Sequence, residues 1–252
     1  MAGNEKKVIE YLFDNLGIIE LKHIGKLDRI GNPMKNKEII NVNSYSALKD
    51  IKTEAAQKKA DIYLNDYGVS IKQSGGCFLY NRLQREGIIT ILNKFNIDSK
   101  NIFDNFDNEI VSYHNGEKED RNIKWDTYFS EEQFKILLKY LMMDGSPYKE
   151  SPFPAQYILE APKKIKKNED ISIFTFDEFF EKYRHKIVFS IRRQWIGQKS
   201  KSENGRAIAL SKKILNKPWV FDNIVGTPSA WRDEIPEKDR KTVYFLMIEK
   251  LK

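Results

Sequence analysis

Lys59-Ala-Asp-Ile-Tyr-Leu-Asn-Asp-Tyr-Gly-Val-Ser-Ile-Lys-Gln-Ser74 decides how this chain is read. Ile62 and Leu64 alternate with Tyr63. Beyond Asn65-Asp66-Tyr67-Gly68, Val69 and Ile71 alternate with Ser70 and Lys72. Period-two alternation on both sides of a turn-forming quartet predicts two short strands joined as a hairpin. Asp61 opens the first strand and Lys72 lies near the end of the second. Antiparallel pairing brings the two close, and register decides whether they share a face. An acid and a lysine held there suit one chemistry. The carboxylate takes a divalent cation, and the ammonium stands beside a water or a phosphate oxygen.

Working outward, Glu5 to Leu16 carries Val8, Ile9, Leu12, Phe13 and Leu16 at helical spacing and stops at Gly17. Ile18 to Ile30 reads as a strand and turn, and Gly31-Asn32-Pro33 as a loop. Ser44 or Ser46 caps a helix expected to run to about Lys58. After the hairpin, Ser74-Gly75-Gly76 turns the chain into Phe78–Arg85, expected to be helical. Phe129–Met143 is the clearest amphipathic helix, capped by Ser130 and closed by Gly145. Tyr157–Leu159, the start of Ser172–Tyr183, and Lys186–Trp195 read as strands; Phe176, Phe179 and Phe180 mark a helix within the second of these. Lys199–Arg206 reads as a polar basic loop, and Val243–Ile248 as a closing strand or helix. Trp219 and Trp231 flank Gly226-Thr-Pro-Ser229 and read as core aromatics.

Composition bounds the rest. The chain has 252 residues, of which 40% are hydrophobic, enough for a core in one large domain or a domain with an appended lobe. The expected division is a catalytic core over residues 1–150 and a basic recognition part over 151–252. One cysteine, Cys77, excludes an internal disulfide framework and fits a reducing compartment. No apolar run is long enough for a membrane span, and the polar start holds no signal core, so a soluble cytoplasmic protein is expected. His23, His114 and His185 have no His or Cys at ligand spacing, which argues against zinc. No P-loop, GxGxxG or GxSxG pattern occurs.

The formal net charge is +7. Asp98 to Glu132 holds 10 acids against 4 bases, whereas Lys163 to Lys217 holds 15 bases against 6 acids. A basic back half behind an acidic middle predicts a polyanion-facing surface.

Ala60-Asp61 followed nine residues later by Ser70-Ile71-Lys72, behind a helix and within a hairpin, resembles the PD-(D/E)xK nuclease superfamily, and type II restriction endonucleases in particular. The resemblance covers roughly Ser44 to Arg85. It implies an α+β fold with a mixed central sheet flanked by helices and added DNA-binding loops. It also implies a Mg²⁺-dependent enzyme, with Mn²⁺ as a substitute, that cuts double-stranded DNA at specific sites as a monomer or homodimer. On this reading Asp61, Ser70 and Glu54 hold the metal, and Lys72 orients the attacking water. Ser70 departs from the pattern, because a hydroxyl stands where the family carries an acid, and a hydroxyl is the poorer metal ligand. Glu54, seven residues upstream of Asp61, is the first choice to compensate, and Glu10 the second. A repair or junction nuclease of the same superfamily, or a non-catalytic nucleic-acid-binding protein, are the rival expectations.

Two stretches supply candidate DNA contacts. Gln73-Ser74-Gly75-Gly76 puts small polar residues beside Lys72, where glycine amides can approach phosphates; Asn81, Arg82 and Gln84 follow. In Ser190–Arg206, the residues Arg192, Arg193, Gln194 and Gln198 suit base edges, whereas Lys199, Lys201 and Arg206 suit phosphates.

Overall fold

The computed structural model describes residues 5–34, 37–49, 51 and 58–252. It is a mixed α/β structure, and its contacts divide the chain into two units. The first comprises Met1–Cys77, Leu138–His185 and Lys252; the second comprises Phe78–Leu137 and Lys186–Leu251.

In the first unit a six-stranded sheet runs in the order Ser172–Phe174, Tyr157–Ala161, Tyr67–Gln73, Ile62–Leu64, Ile30–Pro33, Ile39–Asn41. All its pairings are antiparallel except that of Tyr157–Ala161 with Tyr67–Gln73. The hairpin forms as its alternation requires, with Ile62 opposite Val69 and Leu64 opposite Tyr67, so only Asn65 and Asp66 make the turn. Asn65 has φ 52°, a conformation asparagine tolerates well among residues with a side chain. Leu159, Ala161, Ile62, Leu64, Val69 and Ile71 share one core with Val8, Ile9 and Leu12 of the helix Glu5–Asp14. The alternate residues of these strands face the other way. There Phe174 packs on Phe179 of the helix Phe176–Tyr183. Thr175 caps that helix through the Glu178 N–H, while the Glu178 carboxylate accepts from the Thr175 N–H.

In the second unit the long strand Thr242–Lys250 pairs with Ile187–Trp195, Val220–Phe221 and Phe78–Leu83, and Asn122–Lys124 extends the far side of Ile187–Trp195. Its core is aromatic, with Phe106, Phe129, Phe134 and Phe189 in mutual contact and Trp125 stacked on Phe134. Among the described residues no helix is long and apolar enough to cross a membrane.

Several sequence expectations need correction. Phe78–Arg85 is not a helix; Phe78–Leu83 is a strand, because Thr242–Lys250 offers it a backbone ladder. Arg82, at φ 56°, lies next to one of the register shifts in this pairing. Gly31-Asn32-Pro33 is not a loop but lies in the sheet, where a Cβ on Gly31 would come within 2.5 Å of Ile39 Cγ2. Glycine is what allows that approach. Lys199–Arg206 is not a loop either. A helix spans Lys201–Ser211, capped by Ser200, which accepts from the Glu203 N–H, and anchored by Ala207 and Leu210. Ser44 caps a short helix over Tyr45–Lys49 through the Ala47 N–H; Lys58 is not helical, and most of the expected remainder lies outside the described residues. Trp219 is fully buried, but Trp231 keeps partial exposure under the Arg240 guanidinium.

The two units are not divided at residue 150. The parallel pairing of Tyr157–Ala161 with Tyr67–Gln73 ties the third quarter of the chain to the second, and Phe78–Leu83 joins the last strand. Charge does not distinguish the two units either. The first unit holds 21 Lys and Arg against 18 Asp and Glu, the second 22 against 18, so neither is the basic one.

Candidate active site

The hairpin, its parallel neighbour and the first helix place a cluster of ionisable groups within the first unit. Asp61 immediately precedes Ile62–Leu64, and continuing the register puts it opposite Ser70. Asp61 Oδ2 accepts from the Ile71 N–H at 2.7 Å, and the Ser70 hydroxyl also bonds its carboxylate. Ser70 is buried, and Lys72, two residues on, is half-buried on the same face. Burial pushes the Asp61 carboxyl above the usual aspartate range. Lys72, the Ile71 amide, Lys58 and the Ser70 hydroxyl act the other way but do not cancel it.

Glu5, in the first turn of Glu5–Asp14, completes the acidic side. Its pKa is raised to about 7, first by burial and then by the Asp61 charge, with Lys72 and Lys58 opposing. Burial raises both carboxyls, and the Asp61 charge adds to the rise at Glu5, with Lys58 and Lys72 opposing at each. A cation relieves such a pair.

Lys59 lies two residues before Asp61. Its Nζ donates to the Leu141 carbonyl at 2.6 Å, inside the π-helical turn Tyr140–Asp144 that ends the amphipathic helix. Burial, followed by the nearby Lys72 charge, lowers its pKa to about 8, against the pull of Asp144 and Asp61. Next to Lys72 in register on the parallel strand is Glu160, buried, bonded by the Tyr183 hydroxyl at 2.5 Å and by Lys182 at 3.4 Å.

Sequence reasoning brought Asp61, Ser70 and Lys72 together, and the structure does so too. Glu54 lies outside the described residues. Glu10 points elsewhere and pairs with Lys6 at 3.8 Å on an exposed face. Sequence reasoning missed Glu5, yet its signal was present. Val8, Ile9 and Leu12 follow it at three, four and seven residues, so Glu5 sits on the buried stripe of the helix and Glu10 does not.

The metal reading can be tested on these groups. Among the described residues no three His, Cys, Asp or Glu side chains gather as a ligand cluster. Glu5 and Asp61 make two carboxylates, and Mg²⁺ is satisfied by one or two together with waters and substrate phosphates. The donor set therefore fits Mg²⁺, with the Ser70 hydroxyl on Asp61 as its orienting bond.

The candidate DNA contacts divide. Ser74, Asn81, Arg82, Arg193, Lys199 and Lys201 are exposed, and Gln73 is half-buried beside Lys72. Gln194 and Gln198 are buried, with Gln194 bonded to Glu203 and Gln198 donating to the Trp195 carbonyl at 3.0 Å. Arg192 pairs with the buried Glu249, and Arg206 with Glu203 at 2.8 Å. Arg82 also reaches Glu203 at 2.8 Å, so one carboxylate gathers three of the proposed phosphate or base contacts, Arg82, Gln194 and Arg206. Lys72, Gln73 and Ser74 belong to the first unit, and the remaining candidates to the second. No family model, curated protein or solved structure matches the chain.

Proposed function

We propose that the chain is a Mg²⁺-dependent endonuclease of the PD-(D/E)xK kind, acting on double-stranded DNA in the manner of type II restriction enzymes. The observation that carries this reading is the convergence of Glu5, Asp61, Ser70 and Lys72 on one hairpin, with both acids pushed toward the neutral form. A helix ahead of a hairpin, within a mixed sheet, also agrees with what the resemblance implies.

Each side chain then has a task. Asp61 and Glu5 hold the ion, and the Ile71 amide and Ser70 hydroxyl fix the Asp61 carboxylate before any ligand arrives. Lys72 places its ammonium beside the attacking water and the phosphate oxygen, orienting one and balancing charge on the other. Lys59, anchored on Leu141, adds positive charge near Asp61. Bound Mg²⁺ supplies Lewis acidity at the scissile phosphate and lowers the pKa of water.

One observation favours a second reading, a repair or junction nuclease of the same superfamily. Arg192, Gln194 and Gln198 are engaged inside the fold and the exposed Arg193 donates to the Val225 carbonyl, so all four side chains best suited to base edges have partners within the protein. Digestion of a long plasmid with Mg²⁺ separates the readings. Discrete bands support site-specific restriction, whereas a smear or structure-dependent nicking supports the repair enzyme. Salt-sensitive binding with no cutting under Mg²⁺ or Mn²⁺ overturns both in favour of a binding protein.

A further inference from the structure

In the second unit the 3₁₀ turn Ile214–Trp219 holds an apolar tip out in solvent. Ile214 is 87% exposed and Leu215 is 43% exposed, within Lys212-Lys213-Ile214-Leu215-Asn216-Lys217-Pro218-Trp219. A single exposed isoleucine on a loose loop is ordinary. This turn is clamped. Asn216, buried, accepts from the Glu86 N–H at 3.0 Å. Arg85 donates to the Leu215 carbonyl at 2.9 Å while its guanidinium grips both oxygens of Asp107. The buried Trp219 indole donates to the same Asp107 at 2.8 Å. Lys213 pairs with Glu86, and Pro218 restricts the backbone. The anchors come from two helices, Arg85–Lys94 and Lys100–His114, so Ile214 is displayed by a rigid support.

We propose that Ile214, backed by Leu215, is a wedge that enters a base step of duplex nucleic acid while Lys212 and Lys217 seat on the flanking phosphates. The chemistry selects that partner. Two apolar side chains are too little for the core of a protein interface, where lysine is also depleted. They are equally too little to anchor a chain on a membrane, which takes a long apolar face. A base step offers what fits: an apolar interior the width of one side chain, bordered by anions. The wedge rests on the nucleic-acid part of the function proposed above and not on its cleavage chemistry.

Duplexes carrying 2-aminopurine at successive positions test it, with metal chelated so that nothing is cut. Wild-type protein is expected to raise the fluorescence at one or two adjacent steps as they unstack. Ile214→Ala should return that signal to the level of free duplex and weaken binding about tenfold, equivalent to ~1.4 kcal/mol. Lys212→Ala and Lys217→Ala should each lower the salt slope by about one unit and keep the signal. Because Ile214 is so largely exposed, the alanine variant leaves the fold intact, and an unchanged unfolding curve verifies this. No responsive step, or a signal that persists in Ile214→Ala, overturns the wedge. So does binding to anionic vesicles that depends on Ile214 without any unstacking. Lys72→Ala distinguishes the two proposals: loss of cutting with the unstacking retained keeps both. Unstacking that depends on Ile214 in a protein that never cuts keeps the wedge and removes the nuclease.

Discussion

Replacing Glu5 with Gln isolates the electrostatics of the site. Burial and the neighbouring Asp61 raise the Glu5 pKa from 4.5 to about 7. The folded protein therefore keeps this proton where the unfolded chain has already lost it. Stability falls as pH rises from the unfolded value through about 7, and levels off above. At ~1.4 kcal/mol per pH unit the full window is worth about 3.4 kcal/mol. Glu5 keeps part of its surface in water, and solvent screening brings the expected cost to about 1–2 kcal/mol. Urea unfolding of both proteins at about pH 5 and about pH 8, at one salt concentration, measures it. Wild type should lose about 1–2 kcal/mol more than Glu5→Gln between the two, since the other titrating groups are common to both. Millimolar Mg²⁺ adds a second readout. An ion held by Glu5 and Asp61 competes with protons, so it should stabilise wild type more at the higher pH and stabilise the variant less. Equal pH slopes for the two proteins would refute the burial argument. Equal stabilisation by Mg²⁺ would refute Glu5 as a ligand and leave Asp61 alone.

Lys72→Ala should abolish cleavage while duplex affinity, measured by fluorescence anisotropy, stays within a few fold; a variant that still cuts removes the assignment of Lys72. Asp61→Asn should lose activity and weaken divalent-metal binding by calorimetry. It should also hold or raise the melting temperature, because it deletes a desolvated charge and keeps an acceptor for the Ile71 amide; wild-type metal affinity would show that Asp61 is not the ligand. Gln194→Ala should cost about 1–2 kcal/mol of stability through its lost bond to Glu203 and leave base preference unchanged. A relaxed base preference at one position with normal stability would restore Gln194 to base readout.

The hairpin was legible because period-two alternation around a polar turn is a local property. Val69 and Ile71 had to face one way and Ser70 and Lys72 the other whatever surrounded them. The helix capped by Ser130 was legible for the same reason: the cap is made within one turn. The same signature, Ser200 followed by Glu203, lay within the segment read as a loop. Its apolar anchors, Ala207 and Leu210, came just after the window considered.

Tertiary structure decided what depends on partners distant in sequence. Phe78–Leu83 has apolar residues that suit either a helix or a strand, and only the ladder offered by Thr242–Lys250 settles it. The parallel pairing of Tyr157–Ala161 with Tyr67–Gln73 sets Tyr157 beside Val69, 88 residues earlier in the chain. It makes two interleaved units where composition predicted consecutive halves. Arg192, Gln194 and Gln198 read as base contacts in sequence; the strand Ile187–Trp195 turns Arg192 and Gln194 toward Glu249 and Glu203, and just past its end Gln198 bonds the Trp195 carbonyl. Sequence by itself determined an acid, a hydroxyl and a lysine on one hairpin, because spacing along a strand is fixed by covalent geometry. Which second acid joins them was decided by packing. The helix Glu5–Asp14 buries Val8, Ile9 and Leu12 against Val69 and Ile71, and that contact carries Glu5 to Asp61 and turns Glu10 to solvent.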